Sequence, residues 1–96
     1  MQFEWDETKN LSNQSKHGIS FELAKEIFDD FTLTAIDNRE AYGELREISI
    51  GSVRGLLILV VVHTDRGGRC RIISARKALK QEREYYEQAL RKTFGY

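Results

Sequence analysis

LLILVVVHTDRGGRCRIISA, residues 56–75, decides the fold. Its opening LLILVVVHT (56–64) is apolar almost throughout, and such a run reads as a central strand covered, at least in part, on both faces. As a helix it is far too short to cross a membrane. DRGG (65–68) is a strong hairpin signal, because paired glycines accept the backbone angles of a tight turn. RCRIISA (69–75) then returns as the last strand.

Upstream, FTLTAID (31–37) and LREISIG (45–51) alternate apolar and polar residues, as strands do. DNREAYGE (37–44) and SVRG (52–55) are turn-like. Downstream, a long helix is expected from about Arg76 to Phe94, with Leu79, Tyr86, Ala89, Leu90 and Phe94 as its buried stripe. At the start, QFEW (2–5) reads as a short strand, and Asp6 as the N-cap of a helix over about 7–16. Leu11 is the one large apolar residue of that helix, so a broad apolar stripe cannot be what holds it. Gly18 follows as its C′ residue. Ser20 caps a second helix, about 21–30, with Phe21, Ala24, Ile27 and Phe28 on one face. The expected order is β-α-α-β-β-β-β-α: a single α+β domain over 1–96, with a mainly antiparallel meander sheet and helices packed on one face. The other face of such a sheet is left open.

The 96 residues carry 15 Lys+Arg and 15 Asp+Glu, so there is no formal net charge. The charge is nonetheless divided. Residues 1–50 hold 5 basic against 11 acidic side chains, and residues 51–96 hold 10 against 4. Either the halves face different partners, or they neutralise each other in the fold. The lone Cys70 excludes an internal disulfide and fits a reducing cytosol. MQFEWDETKN lacks the basic and apolar regions of a signal peptide, so a cytoplasmic location is expected.

Two clusters could carry chemistry. Lys9, Asn13 and either Lys16 or His17 project from one side of the first helix, and His17 falls at its C-terminal end, where the dipole favours a cation. The competing reading is a solvated face closed by a capping histidine. In the last strand Arg69, Arg71 and Ile73 point one way, and Cys70, Ile72 and Ser74 the other. Arg76 follows where strand gives way to helix. Three arginines beside a helix N-terminus make an anion site suited to phosphate. Solvation and protection of a sheet edge compete with that reading. Glu82 and Tyr86 lie one turn apart. Glu82 is placed to orient Arg76 or Arg46, and Tyr86 reads as core rather than catalytic. His17, His63 and Cys70 lack metal-ligand spacing, and there is no phosphate-binding glycine loop. No metal or cofactor is expected.

FEWDETKNLSNQSKHGISFELAKEIF, ELREISIG and RIISARKALKQEREYYE together resemble the BrnT family of type II toxins. The shared pattern falls on Trp5, Asp6, Lys9, Asn13, Lys16, His17, Gly18, Ile19 and Phe21, then Glu44, Arg46 and Gly51, then Arg71, Ile73, Ser74, Arg76, Ala78, Glu82 and Tyr86. The resemblance implies a RelE-like fold and an endoribonuclease that inhibits translation. It also implies a cognate antitoxin, usually a ribbon-helix-helix protein, and operator DNA bound only through the toxin–antitoxin complex. On that footing Arg71 and Arg76 clamp the phosphate with Arg46 assisting, Lys16 and His17 exchange protons, and Glu82 is base or orienter. Lys9, Asn13, Arg69 and Tyr86 are the expected RNA contacts. The acidic first half would meet a basic antitoxin segment. The competing function is a non-catalytic module of the same fold that binds a partner or nucleic acid.

Overall fold

The computed structural model describes residues 1–39 and 43–95. The expected turn over 37–44 therefore lies partly outside the described residues. The elements run β1 (Gln2–Glu4), α1 (Glu7–His17), α2 (Phe21–Ala24), a 3-10 segment (Lys25–Asp29), β2 (Thr32–Asp37), β3 (Arg46–Val53), β4 (Leu57–Arg66), β5 (Arg69–Lys77) and α3 (Lys80–Phe94). The strands form one sheet in the order β1-β5-β4-β3-β2. β2 to β5 are the expected antiparallel meander. β1 differs: it lies parallel to β5, pairing Gln2 with Arg69 and Glu4 with Arg71, so the sheet is mixed.

The central hairpin turns on Gly67 and Gly68, with φ of 61° and 83°. Two successive residues with positive φ suit a two-residue turn that follows the natural twist of the strands. A second feature of this hairpin breaks strict alternation. The register between β4 and β5 slips at Val62/His63, where Val62 faces Ser74 but His63 faces Ile72. Ile73 is the extra residue of a β-bulge. As a result Ile72 and Ala75, three apart, both enter the main core. Arg71, Ser74 and Arg76 are turned together onto the opposite face, where simple alternation had separated Arg71 from Ser74.

The main core lies on one face. Phe21, Ala24 and Ile27 from α2 and the 3-10 segment pack on Leu59, Val61, Ile72 and Ala75. Gly51 lets this layer come close, since a Cβ there would meet Ile27 Cβ at 2.7 Å. The second helix ends early: four residues are α-helical and the next five tighten into the 3-10 turn.

α3 does not join that layer. None of its described residues belongs to the core cluster. It borders a cavity with Ser52 and Ile58, whose register puts them on the sheet's other face. Helices thus occupy both faces, which corrects the expected one-sided packing. α3 also begins later than expected. Arg76 and Lys77 remain in β5, Ala78 N–H donates to Ile58 C=O at 2.9 Å, and Leu79 is the extended N-cap. Continuing the ladder satisfies these backbone groups before helical bonds begin.

Candidate functional site

α1 contains eleven residues, and the two that are buried are both asparagines, Asn10 and Asn13. The helix is capped as expected. Asp6 accepts from Thr8 and Lys9 N–H at 2.8 and 3.3 Å, and Gly18, at φ 72°, closes the C-terminus. Asn13 fastens it to the sheet. Its Nδ2 donates to Ala75 C=O and Ile19 C=O, both at 2.8 Å, and its Oδ1 accepts from Ala75 N–H at 3.1 Å. β1 covers β5 only as far as Arg71, so the Asn13 amide stands in for a neighbouring strand at Ala75. Asn10 does a similar service for α2, accepting from Phe21 N–H at 2.8 Å. Asn13 is 7 % exposed and both polar atoms of its amide are engaged by backbone groups, although it also borders a groove with Lys9, Lys16 and His17.

This fastening carries His17, at the end of α1, to the rim of a cleft of about 420 Å³ on the face of the sheet opposite the main core. Ile48, Ile50, Val60 and Val62 form its floor, and Arg39, Ser74, Arg76 and Glu82 share its walls with His17. A shallower groove continues from His17 and Ser74 past Lys16 and Lys9. Arg76 is held by a forked pair: Nη1 donates to Glu82 Oε1 at 2.7 Å and Nη2 to Oε2 at 2.9 Å. Glu82 also accepts from Leu79 N–H at 2.8 Å, capping α3. The hydrogen bonds from Arg76 hold the Glu82 carboxyl below its ordinary range, and Glu82 in turn raises Arg76. Both therefore stay charged, and the guanidinium is fixed in direction.

A larger cavity, about 680 Å³, lies beneath α3. Its ionic groups are balanced, Asp30 and Glu87 against Lys77 and Arg83, and it has no histidine. The cleft presents two oriented guanidiniums, Arg76 paired with Glu82 and Arg39 with the buried Asp37, beside His17, which makes it the better anion site.

The model of the ribonuclease toxin BrnT of type II toxin–antitoxin systems matches residues 5–82. The chain belongs to the BrnT family. The crystal structure of the Brucella abortus ribonuclease toxin BrnT is similar in fold, with a TM-score of 0.62 and 28% identity over 83% of this chain and 99% of that one. Among curated proteins none matches.

The other BrnT pattern residues are dispersed. Arg71 shares its face with Arg76 but sits opposite Thr64, whereas Arg76 sits opposite Val60. Four residues of strand separate them by about 13 Å. Arg71 Nη1 donates to Glu4 Oε2 at 2.7 Å, tying β1 to β5. Arg71 therefore does not line the cleft that Arg76 walls. Arg69, at the far end of β5, lies 3.8 Å from Glu4 and outside the cleft. Arg46 starts β3 opposite Asp37, 3.9 Å from Glu44. Tyr86 is 2 % exposed, and its hydroxyl donates to Phe31 C=O at 2.7 Å. It anchors α3.

Sequence reasoning missed Arg39. It belongs to a turn-like stretch with no periodicity, and only its pairing with the buried Asp37 brings it to the cleft. Cys70 is no hidden nucleophile, since burial pushes its thiol up to about 11. Among the described residues no group of three or more His, Cys, Asp or Glu is placed to hold a metal ion.

Proposed function

We propose that this BrnT-family chain is an endoribonuclease that cleaves RNA through its own 2′-hydroxyl without a metal ion, and so inhibits translation. The carrying observation is the Arg76–Glu82 fork at the wall of a cleft that α1 also reaches with His17. In the reaction O2′ attacks phosphorus and gives up its proton to a base. The bond from phosphorus to O5′ breaks, and O5′ takes a proton from an acid. The products carry a 2′,3′-cyclic phosphate and a 5′-hydroxyl.

His17 and the exposed Lys16 are the acid–base pair, worth roughly 10²–10⁴ in rate for each properly placed group. Arg76 stabilises the charge developing on the phosphorane. Glu82 is an orienter rather than a base, because both its oxygens are engaged by Arg76 and its capping bond. Lys9 extends the cationic track along the adjoining groove. Arg71 and Arg46 act at a distance from the cleft. A cognate antitoxin, of ribbon-helix-helix type, neutralises the toxin and carries the complex to operator DNA. The antiparallel meander with α2 and the 3-10 segment packed on one face supports the RelE-like class. Among the described residues no helix is long and apolar enough to cross a membrane, which is compatible with action on RNA in the cytoplasm.

The test is incubation of antitoxin-free protein with labelled RNA in EDTA, followed by analysis of product ends. Cyclic or 3′-phosphate ends are expected, with at least a hundredfold loss in Arg76→Ala and in His17→Ala, and a smaller loss in Arg71→Ala. Cleavage absent both on naked RNA and on translating ribosomes, with RNA binding retained, would instead establish the non-catalytic module.

A further inference from the structure

Two arginines of this molecule are gripped by carboxylates while lining the same cleft. One is Arg76, described above. The other is Arg39, whose Nε donates to Asp37 Oδ1 at 2.8 Å and whose Nη2 donates to Asp37 Oδ2 at 2.9 Å. The Asp37 side chain is fully buried, at 0 % exposure, whereas that of Arg39 is 65 % exposed. An exposed ion pair by itself means little. This one is different in that its carboxylate is inside the protein and its cation faces an anion-binding cleft. A buried carboxylate is costly unless it is paired and hydrogen-bonded, so Asp37 holds the Arg39 fork in place.

The topology sets the two cations on opposite sides of the cleft floor. Arg76 comes from β5, Arg39 follows β2, and the floor between them belongs to β3 and β4. Their charges oppose each other, since Arg39 lowers the proton affinity that Glu82 gives Arg76. An anion between them relieves that repulsion. Each guanidinium is held in direction by its own carboxylate, Asp37 or Glu82, and a phosphodiester between them would accept from both.

We infer that Arg39 is a second phosphate-contacting guanidinium of the cleft, taking the scissile phosphate together with Arg76 from the opposite side. The assignment rests on the ribonuclease reading and supplies a second cation at a cleft that Arg71 does not line. The planar fork matters as well as the charge, because it presents paired donors to two phosphate oxygens. Loss of one preorganised donor at developing negative charge typically costs 10²–10³ in kcat.

The experiment has two readouts on one set of variants. The first is single-turnover RNA cleavage. The second is the salt dependence of binding to a 2′-O-methyl oligoribonucleotide, which offers phosphates but cannot be cleaved. Arg39→Ala should lower cleavage about a hundredfold and make the log–log salt slope shallower by roughly 0.7, the contribution of one phosphate contact on a single strand. Arg39→Lys should keep the slope and still lose about tenfold or more in cleavage. Arg54→Ala is the control. Arg54 has a similar two-bond pair with Glu26, at 3.1 and 3.2 Å, but does not line the cleft, and its removal should change neither readout. Circular dichroism reports whether each variant folds. Should Arg39→Ala fail to fold, the lysine variant decides.

Cleavage by Arg39→Ala within about threefold of wild type, with an unchanged slope, would overturn the assignment. So would an Arg54→Ala effect as large as that of Arg39→Ala, since bulk charge would then explain both. If the wild-type protein binds but does not cleave, the ribonuclease reading fails separately. The salt slope then tests the phosphate contact alone, and an unchanged slope in Arg39→Ala rejects it.

Discussion

At the scale of single residues, side chains that look functional in the sequence prove to be the fasteners of the fold. α1 has one large apolar residue, Leu11, and that residue is 61 % exposed. An eleven-residue helix so poor in apolar contacts needs another attachment, and Asn10 and Asn13 provide it. The absence of an apolar stripe was legible. That polar residues replaced it was not, because a buried and a solvated asparagine have the same local pattern. Asn13→Ala is expected to destabilise the protein by roughly 2–3 kcal/mol, since it leaves Ala75 N–H and two buried carbonyls without their partner. Urea unfolding checks this. A variant of wild-type stability with weakened RNA binding would make Asn13 an RNA contact rather than a fastener. Arg76 shows the converse. Its type and position marked it as a phosphate ligand, but its direction comes from Glu82, six residues on, across a strand-to-helix junction.

At the scale of elements, the meander was readable from alternation, the apolar run and the DRGG turn. What escaped were the features set by tertiary contacts. The parallel docking of β1 depends on Glu4 meeting Arg71, and on Phe3 packing against Phe28, with ring centroids 5.5 Å apart. The bulge at Ile73 has no local signature, yet it decides which arginines share the face opposite the main core. β2, β3 and β4 are also joined by a chain of side chains. Thr34 Oγ1 lies 2.7 Å from Ser49 Oγ, which lies 2.7 Å from His63 Nε2. Burial lowers His63 from its ordinary 6.5, against the opposing pull of Glu47 on β3. Asp65, Arg69 and Cys70 border the same recess. The lowered value fixes the sign of a pH effect. Above about pH 6.5 His63 is neutral in both folded and unfolded chains and costs nothing. As pH falls through 6.5 the unfolded chain takes up the proton first, so stability drops, until the folded-state value is passed and the loss levels off. Glu22 and Glu82, both lowered carboxyls, lose their stabilisation only below the ordinary 4.5. Stability should therefore decline as pH falls below about 6.5, ahead of any carboxyl contribution, and His63→Gln should flatten that decline. Equal slopes for the two proteins in urea titrations over this range would show that His63 ionises freely in the fold.

At the scale of the whole molecule, the charge division visible in the sequence is largely resolved within the fold. Glu4 meets Arg71 at 2.7 Å and Arg69 at 3.8 Å, Glu26 meets Arg54 at 3.1 Å, and Glu44 meets Arg66 at 3.6 Å, each pair joining the acidic half to the basic half. This is how a chain without net charge conceals a cationic site. Arg54, Arg66, Arg69 and Arg71 meet carboxylates of the acidic half, whereas at the cleft Arg39 and Arg76 stand beside His17, each oriented by one carboxylate, Asp37 or Glu82. A count of basic residues in the second half suggests broad polyanion binding, but the paired arrangement suggests a few contacts in one place. With each phosphate on a single strand contributing roughly 0.7 to the slope, about three contacts give a log–log dependence of affinity on salt near −2. Fluorescence anisotropy with an uncleavable single strand, from low to physiological salt, measures it. A slope of −4 or steeper would mean that RNA breaks the Glu4–Arg71 and neighbouring pairs and crosses the sheet, bringing Arg71 and Arg69 back as contacts. A slope near zero would remove the electrostatic basis for the cleft as a phosphate site.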